Sequence, residues 1–407
     1  MGVGKTPSNR AGLGFRVYKP KVNRVNREKL KALYNDIVNY LLGVASELKG
    51  PKYLTYYAEE WEKMYEEVKR QREGAGKRTL PKTPPVYIPV RFVMPDGRER
   101  GDNRAPAVID LRRGELRIPS YGVVQRLPRS LVRALVEENN LNPRPDFVLQ
   151  VTRKGLVRLI ASRAPPKRDA SALQLICMDE NAAHGLYTTL IRFDGERVKV
   201  TRGPTFKPPN AALLRRIAAQ LQSAADTGTT VELCALIERA YEELNEKREV
   251  EGGSIRVPPD RARELYRRAR ARERRLNEEW RSRVVAWLRR TVRENADARA
   301  VVLVDEVTAE TARLMRRVTK RLRNLCLYEG AEYVPLRASG RYCPRCNAMG
   351  VEVARRIFKC PKCGLEWHRD RMATFALALN YAKLTENEAL RKALLKWLEE
   401  HPRALLS

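Results

Sequence analysis

The spacing of apolar positions changes character along the first third of the chain. Positions 15–22 alternate well enough to predict a strand. Leu30, Leu33, Ile37, Leu41, Val44 and Leu48 then recur every three or four positions, which predicts a one-sided helix. Asn26 can cap its start and Gly50-Pro51 ends it. Trp61, Met64, Tyr65 and Val68 predict a second amphipathic helix, followed by a basic, glycine-containing linker over 70–82. From 86 to 164 the period moves towards two. Short strands are expected at 86–88, 108–111 and 116–118, with Arg113-Gly114 as a turn. Segments 147–152 and 156–161 flank Arg153-Lys154-Gly155 as a hairpin. A small barrel or sheet is expected here, bounded by Pro165-Pro166-Lys167-Arg168.

The second half mixes both periods. An apolar run at 173–178 ends in Asp179-Glu180, and strands at 187–193 and 198–201 are joined by Asp194-Gly195. Helical stretches over 210–245 and 260–295 follow, separated by Glu251-Gly252-Gly253-Ser254. A buried-type strand at 300–304 ends in Asp305-Glu306. Helix is predicted over 308–323, a strand over 332–336, and helices over 369–384 and 387–400. No internal repeat of fixed period is present.

Charge adds a partner to this picture. The 407 residues carry 80 Lys+Arg against 49 Asp+Glu, a net charge of +31 that points to a polyanion, nucleic acid before an anionic membrane. At 43% hydrophobic residues the chain is no disordered polycation. No apolar run approaches the ~20 residues of a spanning helix, and no signal peptide opens the sequence. The expectation is a soluble, cytoplasmic protein that contacts no membrane. Gly2-Val3-Gly4-Lys5-Thr6 imitates the end of a P-loop and a myristoylation pattern, but it lacks a preceding strand and Pro7 follows it, so a basic tail is the reading taken.

Cys343-Pro344-Arg345-Cys346 and Cys360-Pro361-Lys362-Cys363 are two C-x-x-C pairs. Two such knuckles supply four thiolates for one tetrahedral ion, so a closed structural zinc site is expected at Cys343, Cys346, Cys360 and Cys363. Asn347 and Gly364 follow the knuckles and tolerate the left-handed backbone such turns need. Cys177, Cys234 and Cys326 stand alone in apolar surroundings and read as small core residues. His368 lies just outside the cluster, close to Asp370.

Three acidic positions end strands or open a helix: Asp179, then Asp305 or Glu306, then Asp370. Singly, each could simply meet solvent or cap a helix. Together they suit phosphodiester hydrolysis by two divalent ions, which needs several carboxylates in one pocket and favours magnesium or manganese.

The order of these pieces resembles the split RuvC nuclease of TnpB proteins, transposon-encoded RNA-guided DNA nucleases related to the compact type V CRISPR effectors. The resemblance rests on Ile176-Cys177-Met178-Asp179, Val302-Leu303-Val304-Asp305-Glu306-Val307, the CPRC and CPKC knuckles, and Trp367-His368-Arg369-Asp370-Arg371-Met372-Ala373. It covers 172–384 well and the first 170 residues loosely. It implies a multidomain α+β protein: an RNase H-like (RuvC) α/β nuclease domain with an inserted four-cysteine zinc ribbon, preceded by a wedge β-barrel carrying a helical recognition lobe. Its implied boundaries are 1–25 for the first wedge strand, 26–82 for the recognition lobe and 83–168 for the wedge barrel. RuvC segments follow at 169–206, 299–340 and 368–407, with a helical insertion at 207–298 and the ribbon at 341–367. Asp179 and Asp370 would be the first and third catalytic acids and magnesium ligands. The second is Asp305 by gapless alignment or Glu306 by residue type, with Glu306 slightly favoured. The family pattern often has Gly where Asn181 stands and Asn where Met372 stands.

The densest basic segment is 261–293, where thirteen arginines face four glutamates. Arg261, Arg263, Arg267, Arg268, Arg270, Arg274, Arg275 and Arg281 are expected on a phosphate backbone, which guanidinium groups pair bidentately. Arg112, Arg113, Arg153 and Lys154 add basic turns. The implied partners are guide RNA and double-stranded target DNA, with a monomer slightly favoured. Two alternatives stay open: a guide-dependent binding protein that represses without cutting, and a zinc-ribbon nucleic-acid protein without a guide.

Overall fold

A computed structural model describes residues 14–41, 86–166, 170–181, 185–209, 211–244, 255–305 and 313–406. The expected helix over 61–68 and the linker over 70–82 lie outside these residues. So do Val44, Leu48 and Glu306, and nothing is described of the Asn181 side chain. The chain forms two compact units, 1–167 with 327–330, and 168–326 with 331–407.

The first unit is an eight-stranded sheet. Its strands are β1 (Gly14–Tyr18), β2 (Val86–Val93), β3 (Glu99–Arg100), β4 (Ala107–Asp110), β5 (Glu115–Ile118), β6 (Val123–Arg126), β7 (Asp146–Val151) and β8 (Val157–Arg163). The hydrogen-bonded order is β1-β8-β7-β2-β4-β5-β6, with β3 on β2. Helix α1 (Arg24–Leu41) buries Leu30, Leu33, Tyr34 and Ile37 in this core, the stripe that its spacing predicts. A second helix, α2 (Arg129–Asn139), is absent from the sequence expectation, as is β6. Pro128 precedes α2 and fixes the approach to its first turn. Residues 327–330 add Tyr328, fully buried, whose hydroxyl meets Glu138. Arg163 donates to the Tyr328 carbonyl at 2.7 Å and to Glu329 at 3.2 Å, so these buried charges are paired.

The second unit is built on a five-stranded sheet of order β11-β10-β9-β14-β15. Strands β9 (Ala172–Asn181), β10 (Gly185–Phe193) and β11 (Val198–Arg202) form an antiparallel meander. Next come α3 (Ala212–Thr227), β12 (Val231–Glu232), α4 (Leu233–Glu242), β13 (Arg256–Val257) and the 36-residue α5 (Pro259–Glu294). The crossover returns to β14 (Ala298–Asp305), parallel to β9, and after α6 (Arg313–Glu329) to β15 (Glu332–Pro335), parallel to β14. A three-stranded sheet of β16 (Val351–Ala354), β17 (Ile357–Lys359) and β18 (Glu366–His368) leads directly into α7 (Arg369–Leu384) and α8 (Glu388–Glu400).

The central strands are apolar on both faces, as strands covered on both sides must be. Leu173, Leu175, Cys177, Val301 and Leu303 pack with Phe375, Leu377 and Ala378 of α7. Ile176, Met178, Ala300, Val302 and Val304 pack with Trp280, Val284 and Leu288 of α5 and Val318 and Leu322 of α6. Helix α7 is buried on nearly all sides, which is why its sequence lacks a polar face. Period-2 alternation sends Asp179 and Asp305 to the same face as Cys177 and Leu303, the one that α7 covers.

Candidate metal centres and active site

The two C-x-x-C pairs form matched knuckles. Cys343 accepts from the Asn347 amide at 2.8 Å, and its own amide donates to Ala348 at 2.9 Å. Cys360 repeats both bonds with Gly364 at 3.0 Å and Leu365 at 2.8 Å. The fifth residue of each turn takes positive φ, +52° at Asn347 and +74° at Gly364, the two positions expected to carry it. Among the described residues the four sulfurs all lie within 4.8 Å of one another, and those of Cys343 and Cys363 are 3.7 Å apart. Tetrahedral sulfur ligands at ~2.3 Å from one ion lie ~3.8 Å apart, so the four-cysteine cluster fits one such ion. The thiols are electrostatically uneven. Burial pushes Cys343 up to about 12. At Cys360 burial is outweighed by the backbone amides of Cys363 and Lys362, which pull it down to about 7.

The four-cysteine segment is tied to the core of the second unit through β18. Trp367 is fully buried, and its indole N–H donates to Gly340 at 2.7 Å. A Cβ at Gly340 would meet the Arg369 carbonyl at 1.9 Å, so that close approach requires glycine. The chain therefore leaves the ribbon in a fixed direction and enters α7 at Arg369.

The structure brings Asp179, Asp305 and Asp370 into one neighbourhood. Asp179 and Asp305 are direct register partners across the parallel pair β9–β14, and neighbouring strands lie ~4.8 Å apart. Asp370 is 2% exposed in the first turn of α7, where the helix dipole favours a negative charge. Burial, then the negative charges of Asp370 and Asp305, push the Asp179 carboxyl up to about 7. Burial also raises Asp305, opposed by the Ala338 amide at 3.2 Å and by Arg337 at 3.6 Å. Glu306 lies outside the described residues.

Of the surrounding shell, the sequence pointed only to His368 beside Asp370. Arg356, at the tip of the β16–β17 hairpin, grips Asp370 with both ends of its guanidinium, Nε lying 2.8 Å from Oδ2. Its ion pair is 18% and 2% exposed at the two side chains. The His368 Nδ1 is buried without a hydrogen-bond partner among the described residues and lies 3.9 Å from Asp370 Oδ2; burial lowers the pKa of this imidazole. Arg371 turns away from the acids, donating to the Thr188 carbonyl at 3.1 Å and to Thr205 Oγ1 at 3.2 Å. Met372 is fully buried in the core below.

The arginines of α5 are largely paired within their own unit. Glu264 serves Arg261 and Arg268, Glu273 serves Arg270 and Arg215, Glu278 serves Arg281 and Arg321, and Glu279 serves Arg275. Arg263 and Arg274 donate to the Ala225 and Arg270 carbonyls. Arg281 is buried, 7% exposed, and faces into the unit. Exposed Arg267, Arg272, Arg283 and Arg290 have no acidic partner among the described residues. The last three are 11 and 7 positions apart, within ~20° of one line along the helix. In the first unit, Arg112 and Arg113 lie at the β4–β5 turn, and Arg153 and Lys154 at the β7–β8 turn. Val93 pairs with Asp110 and Val86 with Val151, so the two basic turns sit at opposite ends of β2.

Comparison with known proteins adds a family assignment for the ribbon and its flanks. Residues 316–377 match the Cas12f1-like TNB domain. The match spans most of α6, the four-cysteine segment and the first half of α7 with Asp370, so the resemblance to TnpB and the compact type V effectors is borne out. No curated protein matches the chain. Among solved structures, the chain is similar to a Cas12f1–sgRNA–target DNA complex at 9% identity and a TM-score of 0.40, covering 86% of this chain and 81% of that one. CasPhi-2 (Cas12j) bound to crRNA gives 11% and 0.36, covering 93% and 98%. The mini-RNA-guided endonuclease CRISPR-Cas phi3 gives 12% and 0.36 over 65% of this chain, which spans 56% of that protein's length.

Proposed function

We propose that the chain is an RNA-guided, divalent-metal-dependent DNA endonuclease with one RuvC-type site. The observation that carries this reading is the meeting of Asp179, Asp305 and Asp370 from β9, β14 and α7 beside a TNB domain. The order β11-β10-β9-β14-β15, an antiparallel meander followed by two parallel strands, supports an RNase H-like assignment. The wedge, recognition-lobe, insertion and RuvC boundaries expected from the sequence belong to the same proposal.

The donor set fits hard divalent cations. Three carboxylates converge, and burial, then the charges of Asp370 and Asp305, raise the Asp179 carboxyl, so a cation placed among them would offset the cost of ionising all three. Asp179, Asp305 and Asp370 would hold the metal, with Glu306 as the alternative second acid. When bound, two such ions supply an activated water and stabilise the leaving oxygen. The protein's part is positional: β9 and β14 fix two carboxylates in register, and α7 presents the third from a buried first turn. Cys343, Cys346, Cys360 and Cys363 would hold one structural zinc that sets the exit direction of β18. Arg272, Arg283 and Arg290 of α5 are proposed as a phosphate-contacting line along guide or target backbone.

A second reading, guided binding without efficient cutting, is favoured by two observations: Met372 is buried where the family pattern has a polar Asn, and Arg356 covers Asp370. Sequencing the RNA that copurifies with the full chain tests the guided part of the proposal. One defined RNA species is expected, and a random sample of cellular RNA would contradict it.

A further inference from the structure

We propose that Arg356 is a latch on Asp370, so that divalent metal enters the acidic site only by exchanging with this guanidinium. The inference rests on the reading of Asp179, Asp305 and Asp370 as a metal site, and it adds a gate to that site.

Both carboxylate oxygens of Asp370 are engaged, one by Nε and the other by Nη2, in the bidentate fork that matches a carboxylate best. The hairpin that carries Arg356 is docked twice on the same helix end, because the Arg356 carbonyl also accepts from the Arg369 amide at 2.8 Å. Its amide donates to Glu352 at 2.8 Å, which closes the tip. The arginine is kept there against backbone preference: φ is +63°, a region where Gly or Asn is the usual occupant.

The consequence is a competition. A cation placed between Asp179 and Asp370 would be repelled by a guanidinium in its present place, which also covers one lone pair of each Asp370 oxygen. Metal binding and the Arg356 pair are therefore alternatives. Anything that draws the ribbon hairpin from α7, such as a polyanion attracting Arg355 and Arg356 at its tip, would open the site. The latch ties metal loading to occupancy of the ribbon.

The test uses the full, zinc-loaded chain without nucleic acid and Mn2+ as the probe, with binding read by titration calorimetry and by the gain in melting temperature. R356G relieves the positive φ and removes the fork; R356K keeps a charge without the fork, and zinc content reports an intact ribbon. The expected result is Mn2+ binding tighter by about tenfold or more in R356G, with R356K between it and wild type. Without added Mn2+, R356G melts lower than wild type, because buried Asp370 loses its ion pair, and it regains more on adding Mn2+. Equal or weaker Mn2+ binding in zinc-retaining R356G overturns the latch. If R356G loses zinc, R356K decides alone, and wild-type Mn2+ affinity in it overturns the latch. D370N separates the two claims: if it binds Mn2+ as wild type does, the metal-site reading itself fails, whatever Arg356 does.

Discussion

Asp179 is the residue on which the electrostatics of the second unit turn. Its carboxyl is raised towards about 7 by burial and by Asp370 and Asp305. A raised folded-state value means that the ionised form is disfavoured in the folded protein. The associated stability is fully present below the ordinary carboxylate value and is lost as pH rises through about 7. Without metal, D179N should therefore melt higher than wild type at pH 8. The difference should shrink as pH falls from about 7 towards about 4. A gain of about 1–2 kcal/mol is expected after allowing for partial exposure, or about 2–6 °C for a chain of this size. Paired melts in EDTA at pH 8 and pH 4.5 check it, and a D179N that melts lower at pH 8 would show that the three acids do not repel one another. Sequence order flagged Asp179 and Asp370 because each ends an apolar strand or opens a helix. It could not flag Arg356, whose partner is fourteen positions away across a hairpin and a strand. The one available signal was Arg355-Arg356 at a two-residue tip, where glycine or asparagine is usual.

At the scale of elements, legibility followed the strength of the local pattern. The limits of α7 matched the expected 369–384, bounded by His368 at the end of β18 and by Thr385. The knuckles were legible because C-x-x-C spacing sets both hydrogen bonds of the turn. Helix α2 was missed because its eleven residues lie among short strands whose alternation dominated the reading. Composition misjudged α5 more subtly. Counting arginines against glutamates ignored sharing at i+3 and i+4, so most of the expected phosphate contacts are already ion-paired. Two predictions belong here. Replacing Arg272, Arg283 and Arg290 together by Gln should lower the slope of log affinity against log salt for nucleic acid by about 2–3. R261Q, whose arginine shares Glu264, should change the slope little; equal effects would remove the α5 line as a contact. The second concerns zinc. The purified chain should carry about one zinc, and C346S should release it. Amides over 343–367 should then lose hydrogen-exchange protection while β9, β10 and β14 keep theirs. Full protection of the ribbon after zinc loss would show that packing around Trp367 suffices.

On the scale of the whole molecule, the net charge of +31 pointed to a polyanionic partner but not to where that partner is held. The two units divide that charge: basic turns at opposite ends of the first sheet, and an arginine line on α5 in the second. Neither arrangement could be read from sequence, since strand order and helix pairing decide which charges stay unpartnered. The acidic cluster is the exception inside the second unit, small, buried and opposite in sign to the surface around it. The central claim is that this cluster cuts DNA chosen by a guide. Its most direct measurement is single-turnover cleavage of matched duplex DNA by the guide-loaded chain in magnesium, with binding verified separately. Wild type should cut, and D179N, D305N and D370N should each slow cutting by about a hundredfold or more at unchanged DNA affinity. Intact DNA with wild type bound to it, or D370N cutting at the wild-type rate, would contradict the account.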